Sequence, residues 1–391
     1  MCVLVGIPST LHAASQAFFG GLGPDIRQEL GASSLFMGIL AAAFSLPIVL
    51  FSPVAGLLVD RLGARRTLSS AIVGYGLGSA CFGLSASLPG SIAARLVMGG
   101  CAAFLYPAFI AVALPLVPAD RKQRVIGSMQ LSVGLTAILA SLATTRILAT
   151  DTWRVSFWAM AALMVAMGAV LAWALAGPPP DRPGAAVRAM PTLSVRQAIA
   201  IPDIRRACLV AFTTGGIVVA FGGLLTVTVA RIVWQIPETE WGFLNASFYL
   251  AFALGGIGLV HATRRFGLPR TLRAMLLVLA GSLAALCYLP MSIGTPAACV
   301  MTFGLGLGAS AMSLATTVAV RAVPLASSGV ASSLTVAAMS FGGLVLQTGA
   351  MATSMIPDST PLGRARAFAA VILALVFVAY ATAGRIEDPP A

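Results

Sequence analysis

The feature that most constrains this chain is its shortage of charge. Asp, Glu, Lys and Arg make up only 9% of 391 residues, against 59% hydrophobic residues. Water-soluble domains carry about 25% charged residues, because a surface in water has to be solvated. A chain this apolar, with a mean hydropathy of +0.96, needs lipid as its solvent. Its apolar residues also fall in runs close to the roughly 20 residues that a helix needs to cross the hydrocarbon. The expected fold class is therefore an all-α membrane protein. Spans are expected near 3–23, 35–58, 67–88, 91–117, 125–147 and 153–176, and again near 207–230, 240–262, 271–290, 294–320, 329–351 and 365–385. The 40 glycines suit this reading, since small residues let membrane helices approach closely.

The stretch from Gly177 to Arg206, proline-rich and then basic, is the one long polar segment. It divides the chain into an N-terminal six-helix bundle (1–176), a cytoplasmic linker (177–206) and a C-terminal six-helix bundle (207–391). Arginine and lysine fix the orientation. With both termini in the cytoplasm, seventeen basic residues lie on that side and six on the other, with Arg95 inside a span, as the positive-inside bias requires. The net charge of +12 is thus spread over short clusters between spans. That distribution argues against nucleic acid as a partner, which would need one basic surface. The six cysteines sit in or beside apolar runs without metal or redox spacing, and no metal or other cofactor is expected.

Shifted by 204 residues, the chain overlays on itself. Arg61-Leu62-Gly63-Ala64-Arg65-Arg66-Thr67-Leu68 falls on Arg265-Phe266-Gly267-Leu268-Pro269-Arg270-Thr271-Leu272, and Gly38 to Phe44 falls on Gly242 to Phe248 at the same offset. Two parallel six-helix repeats related by an axis along the membrane normal are an architecture of secondary transporters.

The loop between the second and third spans, Gly56-Leu57-Leu58-Val59-Asp60-Arg61-Leu62-Gly63-Ala64-Arg65-Arg66, resembles the signature loop G-x-x-x-D-R-x-G-R-R of the major facilitator superfamily, with alanine at one basic position. Arg95-Leu96-Val97-Met98-Gly99 and Trp153-Arg154-Val155-Ser156-Phe157 are similar to that family as well. The resemblance implies twelve transmembrane helices in two pseudo-symmetric bundles, a monomer, and a location in the bacterial cytoplasmic (inner) membrane. It also implies that Gly56, Asp60, Arg61, Gly63, Arg65 and Arg66 form a conformational latch between the halves. Physically, Gly56 and Gly63 would permit close helix approach and a tight turn. The alternative is that the arginines only set topology.

Ionisable groups inside a membrane are costly, so each is a functional candidate. All twelve acids fall in loops or at span ends, which weakens a proton-antiport reading. His12 and Gln16 share a helical face with Ser9 and Phe19 in the first span. His12 is either a structural hydrogen-bonding group or a solute ligand and protonation site, which leaves proton coupling open. Arg95 either snorkels to the interface or lies buried, where it would favour an anion. Asn245 and Tyr249 are four apart in the eighth span. With Gln130, Ser313 and Gln347 they are weighed evenly as cavity lining or interhelical hydrogen bonds.

No nucleophile elbow, paired histidines or carboxylate cluster indicates an enzyme. The expected function is a secondary active transporter, symporter or antiporter, moving a small molecule such as a small organic or inorganic anion by alternating access. Proton-coupled drug efflux and a non-transporting membrane sensor are the alternatives. The fifth span has Gly134 but lacks the proline of the G-P-x-x-G-G-like element of the family's drug antiporters.

Overall fold

The structure is a computed structural model that describes residues 2–113, 131–144, 152–174, 193–288, 294–324, 327–353 and 360–386; of residues 2–9 and Asp60 only the backbone is described. The described residues are helical, without strands. In hydrocarbon each backbone N–H and C=O has to be satisfied within its own segment, and a helix does this. In chain order the elements are α1 (Cys2–Gly21), α2 (Gly23–Glu29), α3 (Ser34–Leu62), α4 (Ala64–Leu84), α5 (Leu88–Ala113), α6 (Leu131–Thr144) and α7 (Trp153–Ala174). They continue with α8 (Val195–Ala200), α9 (Pro202–Trp234), α10 (Trp241–Phe266), α11 (Leu268–Tyr288), α12 (Gly294–Ala309), α13 (Met312–Arg321), α14 (Ser328–Ala352) and α15 (Pro361–Ala383).

Ten of the described helical segments are long and apolar enough to cross a membrane. The 20-residue α1 and the shorter apolar α6 stand where the first and fifth spans were expected. Large apolar side chains such as Leu50, Leu139, Val300 and Phe377 face outward, as a surface bathed in lipid requires. Two of the helix starts carry side-chain caps of this kind: Ser33 accepts from the Phe36 amide at 3.2 Å and Thr360 from the Gly363 amide at 3.0 Å.

Some expected boundaries shift. The seventh span begins at Pro202 rather than 207, because proline suits a first helical turn and Asp203 follows it there. The short helix α8 forms inside the expected linker, closed by a reciprocal capping box between Ser194 and Gln197; residues 177–192 lie outside the described residues. The tenth span breaks at Ser310–Ala311, where the Ser310 amide turns to the carbonyls of both Gly306 and Leu307. Close helix approach at Gly56 is not found, since a side chain there would meet nothing within 4 Å.

The internal repeat holds in three dimensions. Gly63 and Gly267, related by the 204-residue offset, both adopt a positive φ, 91° and 83°, which glycine takes without steric cost. Each turns the chain between two spans, and the hydroxyls of Thr67 and Thr271 donate back to their carbonyls at 3.0 and 2.8 Å. The helix contacts repeat too. Gly99 of α5 presses on the Phe44 carbonyl of α3, and Gly306 of α12 presses on the Phe248 carbonyl of α10.

Among the described residues, three close glycine contacts illustrate how the halves join. Packing of α3 against α14 brings Gly38 to the Met351 side chain. Packing of α6 against α10 sets Gly134 on the Tyr249 carbonyl and Ala253. Gly20 of α1 meets Gly223 of α9 backbone to backbone. A cation and a carboxylate clamp one end of the N-terminal half: Arg154 bonds Glu29 at 2.8 Å and donates to the carbonyls of Gly83 and Ser85 at 2.6 and 2.8 Å, while the Trp153 indole also bonds Glu29.

Because a methyl group at Gly99 or Gly306 would strike backbone, Gly99→Ala and Gly306→Ala should each destabilise the protein by roughly 1–3 kcal/mol. Thermal unfolding in detergent should show a lower midpoint for both. Gly56→Ala, with open space around it, should unfold like the parent.

Candidate functional site

The close approach of α5 to α3 at Gly99 encloses Arg95, one turn earlier on α5, which is 0% exposed. The snorkelling alternative is thereby excluded. Its Nε donates to the Leu40 carbonyl at 3.2 Å and its Nη2 to Gln16 Oε1 at 3.1 Å. The guanidinium carbon lies 4.0 Å from the Phe19 ring centre, 4.9 Å from Phe44 and 5.8 Å from Phe82. Aromatic faces stabilise a desolvated cation. All of these partners come from α1, α3 and α4, so Arg95 holds the N-terminal half together from within. The shared face expected for Gln16 and Phe19 is the face that meets it. In the other half, Thr302 stands one turn before Gly306, so the charge has no counterpart across the repeat.

A second polar cluster forms on α9. From Phe221 to Leu225, and again from Ala230 to Trp234, this helix widens into π-turns, which shift hydrogen-bond partners and are common at functional sites. The Gly222 carbonyl accepts from the Tyr249 hydroxyl at 3.0 Å and from Asn245 Nδ2 at 3.4 Å. Gln347 Nε2 donates to the Val219 carbonyl at 3.0 Å, and the Thr226 hydroxyl donates to the Phe221 carbonyl at 2.6 Å. Asn245 and Tyr249 thus share the face that their spacing indicated, and Gln347 joins them from α14. Asn245 Oδ1 and Gln347 Oε1 are buried with no hydrogen-bond partner among the described residues. Beside Gln347, Gly223 meets Gly20 of α1, so the cluster sits where the two halves touch. The π-turns were missed in the sequence, although the adjacent pairs Gly215-Gly216 and Gly222-Gly223 were a signal. Next to the first π-turn lies an apolar pocket of about 120 Å³, lined by Phe221, Leu225, Leu283, Met351 and Phe368 with Arg364 as its charged group.

The remaining candidates stand apart. His12 is half-buried on α1 and has an interaction partner. Ser313 donates to the Ser310 carbonyl at 2.9 Å, so its hydroxyl is satisfied within its own segment rather than at the α9 cluster. Gln130 lies outside the described residues, as does the Asp60 side chain. In the signature loop, Gly63 makes the turn; Arg61 and Arg66 are exposed and Arg65 is half-buried.

At the end of the bundle remote from that loop, a cleft of about 460 Å³ crosses the seam, lined by Asp25, Arg27 and Gln28 of α2 and by Arg231 and Glu238 of the other half. Burial, then the carboxylates of Glu238 and Glu29, holds the Asp25 carboxyl above the usual range. A raised pKa means that the folded protein binds this proton more tightly than the unfolded chain does. The stability it contributes is present at acid pH and is lost as pH rises through the folded pKa. Asp25→Asn, which cannot ionise, should therefore melt above the parent at pH 7, with the difference closing toward pH 4 in thermal unfolding.

Comparison with known proteins adds to this geometry. A family model described as Major Facilitator Superfamily matches residues 7–347. A chloramphenicol resistance protein of Streptomyces lividans is 30% identical over 163 residues, 40% of this chain and 40% of that protein. A putative multidrug resistance protein, MdtD, of Escherichia fergusonii is 32% identical over 98 residues, 25% of this chain and 21% of that one. The chain thus aligns with less than half the length of these relatives. Among solved structures, a bacterial homologue of the human lysosomal transporter Spinster, inward-facing and unoccupied, matches with a TM-score of 0.72 at 16% identity, covering 100% of this chain and 98% of that one. A mutant of the nucleoside transporter NupG matches with a TM-score of 0.73 at 10% identity, over 99% and 100% of the two chains. At such identities the likeness is one of fold.

Proposed function

This chain belongs to the major facilitator superfamily, a family of membrane transporters, and on that premise we propose that it moves a small solute by alternating access, its two halves rocking about their shared seam. The observation that carries this reading is the α9 cluster. There Asn245, Tyr249 and Gln347 converge on a π-turn that also touches α1 of the other half. Hydrogen bonds that end on one half and a backbone contact that crosses to the other join solute binding to the relative position of the halves. An orientation with both termini in the cytoplasm, favoured by the arginine distribution, and a location in a bacterial inner membrane, implied by the family resemblance, are part of the same proposal.

The expectation of a small anion rested on Arg95 together with His12 and the amides within the spans. The enclosure of Arg95 within the N-terminal half makes it a positioning residue that holds Gln16, and removes the main support for direct anion contact. The free acceptors Asn245 Oδ1 and Gln347 Oε1 call instead for a solute with hydrogen-bond donors, and the neighbouring apolar pocket suits an aromatic or aliphatic body. A neutral amphipathic molecule meets both conditions. The similarity to a chloramphenicol resistance protein favours export of an antibiotic of that chemical kind. His12 is the proposed proton-carrying group, since no acid lies at a span centre, and Gly56–Arg66 remains the proposed latch.

Flux of chloramphenicol, small carboxylates and inorganic oxyanions in proteoliposomes tests this reading. Chloramphenicol transport driven by a pH gradient is expected, falling about tenfold in Asn245→Ala and Gln347→Ala, the effect of losing about 1.4 kcal/mol. Transport of oxyanions alone would overturn the solute assignment. His12→Ala should flatten the pH dependence of flux; an unchanged profile would return His12 to a structural role.

A further inference from the structure

The second π-turn of α9, Ala230–Trp234, takes no part in the cluster around Gly222. It ends at Gln235, the one non-glycine among the described residues with a positive φ, 52°. Such backbone persists only where its surroundings over-determine it, and it concentrates at functional sites and switch regions. Here the Ile236 amide folds back to the Ala230 carbonyl at 3.1 Å, and the buried Trp241 indole donates to the Ile236 carbonyl at 3.0 Å. The segment held in this way carries two carboxylates. Glu240 is bonded to the Thr295 hydroxyl of α12, while Glu238 lines the cleft of about 460 Å³ at the seam, as does Arg231 of the π-turn.

The facing wall of the cleft belongs to the N-terminal half. Leu22 and Ile26, both fully buried, anchor α2, and Gly23 rests against the Leu224 side chain of α9. This seating brings Asp25, Arg27 and Gln28 to the cleft. Arg27 Nε donates to the Ala32 carbonyl at 3.3 Å, and among the described residues neither Arg27 nor Arg231 forms an ion pair across the cleft. Asp25 and Glu238, carboxylates of opposite halves, thus share one confined space. Glu29, four residues beyond Asp25, stands on the same half and is bonded to Arg154 and Trp153.

Enclosure first, then the facing Glu238, then Glu29, hold the Asp25 carboxyl above its usual range. Parting the halves at this end would remove the first two effects: water would fill the cleft, and Glu238 would leave with its own half. Glu29 would stay beside Asp25 in either position. The closed seam therefore holds a proton on Asp25 more tightly than a parted seam does, and by linkage a proton bound there favours closure. We propose that Asp25 and Glu238 form a proton-operated gate across this end of the seam, closed when Asp25 is protonated and driven apart when both carboxylates are ionised. The proposal rests on the reading of two rocking halves and, with the termini in the cytoplasm, places the gate on the outer face. Its proton is distinct from the one assigned to His12 on α1.

The test is the separation of spin labels on Ala86→Cys and Thr239→Cys, exposed positions of the two halves at this end, in the purified full-length protein with its native cysteines replaced by alanine. Acid pH should give a single short separation, and raising the pH should add a longer one. Asp25→Asn, which cannot ionise, should keep the short separation at every pH, and Glu238→Gln should shrink the longer component reached at alkaline pH. With the native cysteines in place, hydrogen exchange from Ala230 to Trp241, corrected for the intrinsic effect of pH, should rise with pH in the parent and not in Asp25→Asn. One separation at all pH values in the parent would overturn the gate, and so would a pH response that survives unchanged in Asp25→Asn. Neither result touches the transport reading, which chloramphenicol flux decides. A pH-dependent separation in a protein that moves no solute would leave the gate in place and overturn transport instead.

Discussion

In this protein the contact on which most else depends is a glycine resting on a carbonyl oxygen. Between membrane helices the hydrophobic effect gives no attraction, because lipid tails are as apolar as the side chains they would replace. Close packing has to supply the adhesion, and it does so where Gly99 meets the Phe44 backbone and where Gly306 meets that of Phe248. At the first of these places the approach also shuts Arg95 away from lipid, against Phe19, Phe44 and the Leu40 carbonyl. One geometric device thus fixes the helix spacing in both halves and creates a buried charge in only one of them.

The seam between the halves is built differently. Its backbone contact, Gly20 on Gly223, lies within a π-turn whose Gly222 carbonyl is shared with side chains from α10, and Gln347 of α14 meets the Val219 carbonyl just before it. A regular α-helix would use the Gly222 carbonyl internally. Widening the helix makes it available to Asn245 and Tyr249, so a polar cluster of the C-terminal half stands where the halves meet. The N-terminal half keeps its polar chemistry inside. That asymmetry, imposed on a duplicated scaffold, separates a charge enclosed within one half from polar groups placed where the two halves touch.

The architecture was legible in the sequence because each of its signals is local. Apolar runs specify the helices, and the spacing around Gly63 and Gly267 exposes the duplication that their matched backbone angles reproduce. Neighbours one turn apart, Asn245 with Tyr249 and Gln16 with Phe19, could be placed on common faces from helical periodicity alone. What could not be read was long-range. That Gln347 faces Val219 and that Arg95 is enclosed by three rings depend on how helices far apart in sequence pack. The π-turns were hidden for another reason: they change the helical period that such a reading assumes, and only the paired glycines mark them. At Gly56 the residue type permits close approach, but the packing leaves open space around it.

The Glu29–Arg154 clamp carries a consequence for how force passes through the molecule. It joins α2 to α7 and, through the carbonyls of Gly83 and Ser85, to the turn that links α4 with α5. The corner where those elements meet is a braced rim, with the rings of Trp153 and Phe82 packed at a tilt beneath it. A rim braced in this way resists bending of its single helices. In the alternating access proposed for this protein, displacement at the cleft beside Asp25 would pass to the rest of the N-terminal half as a rotation of the whole.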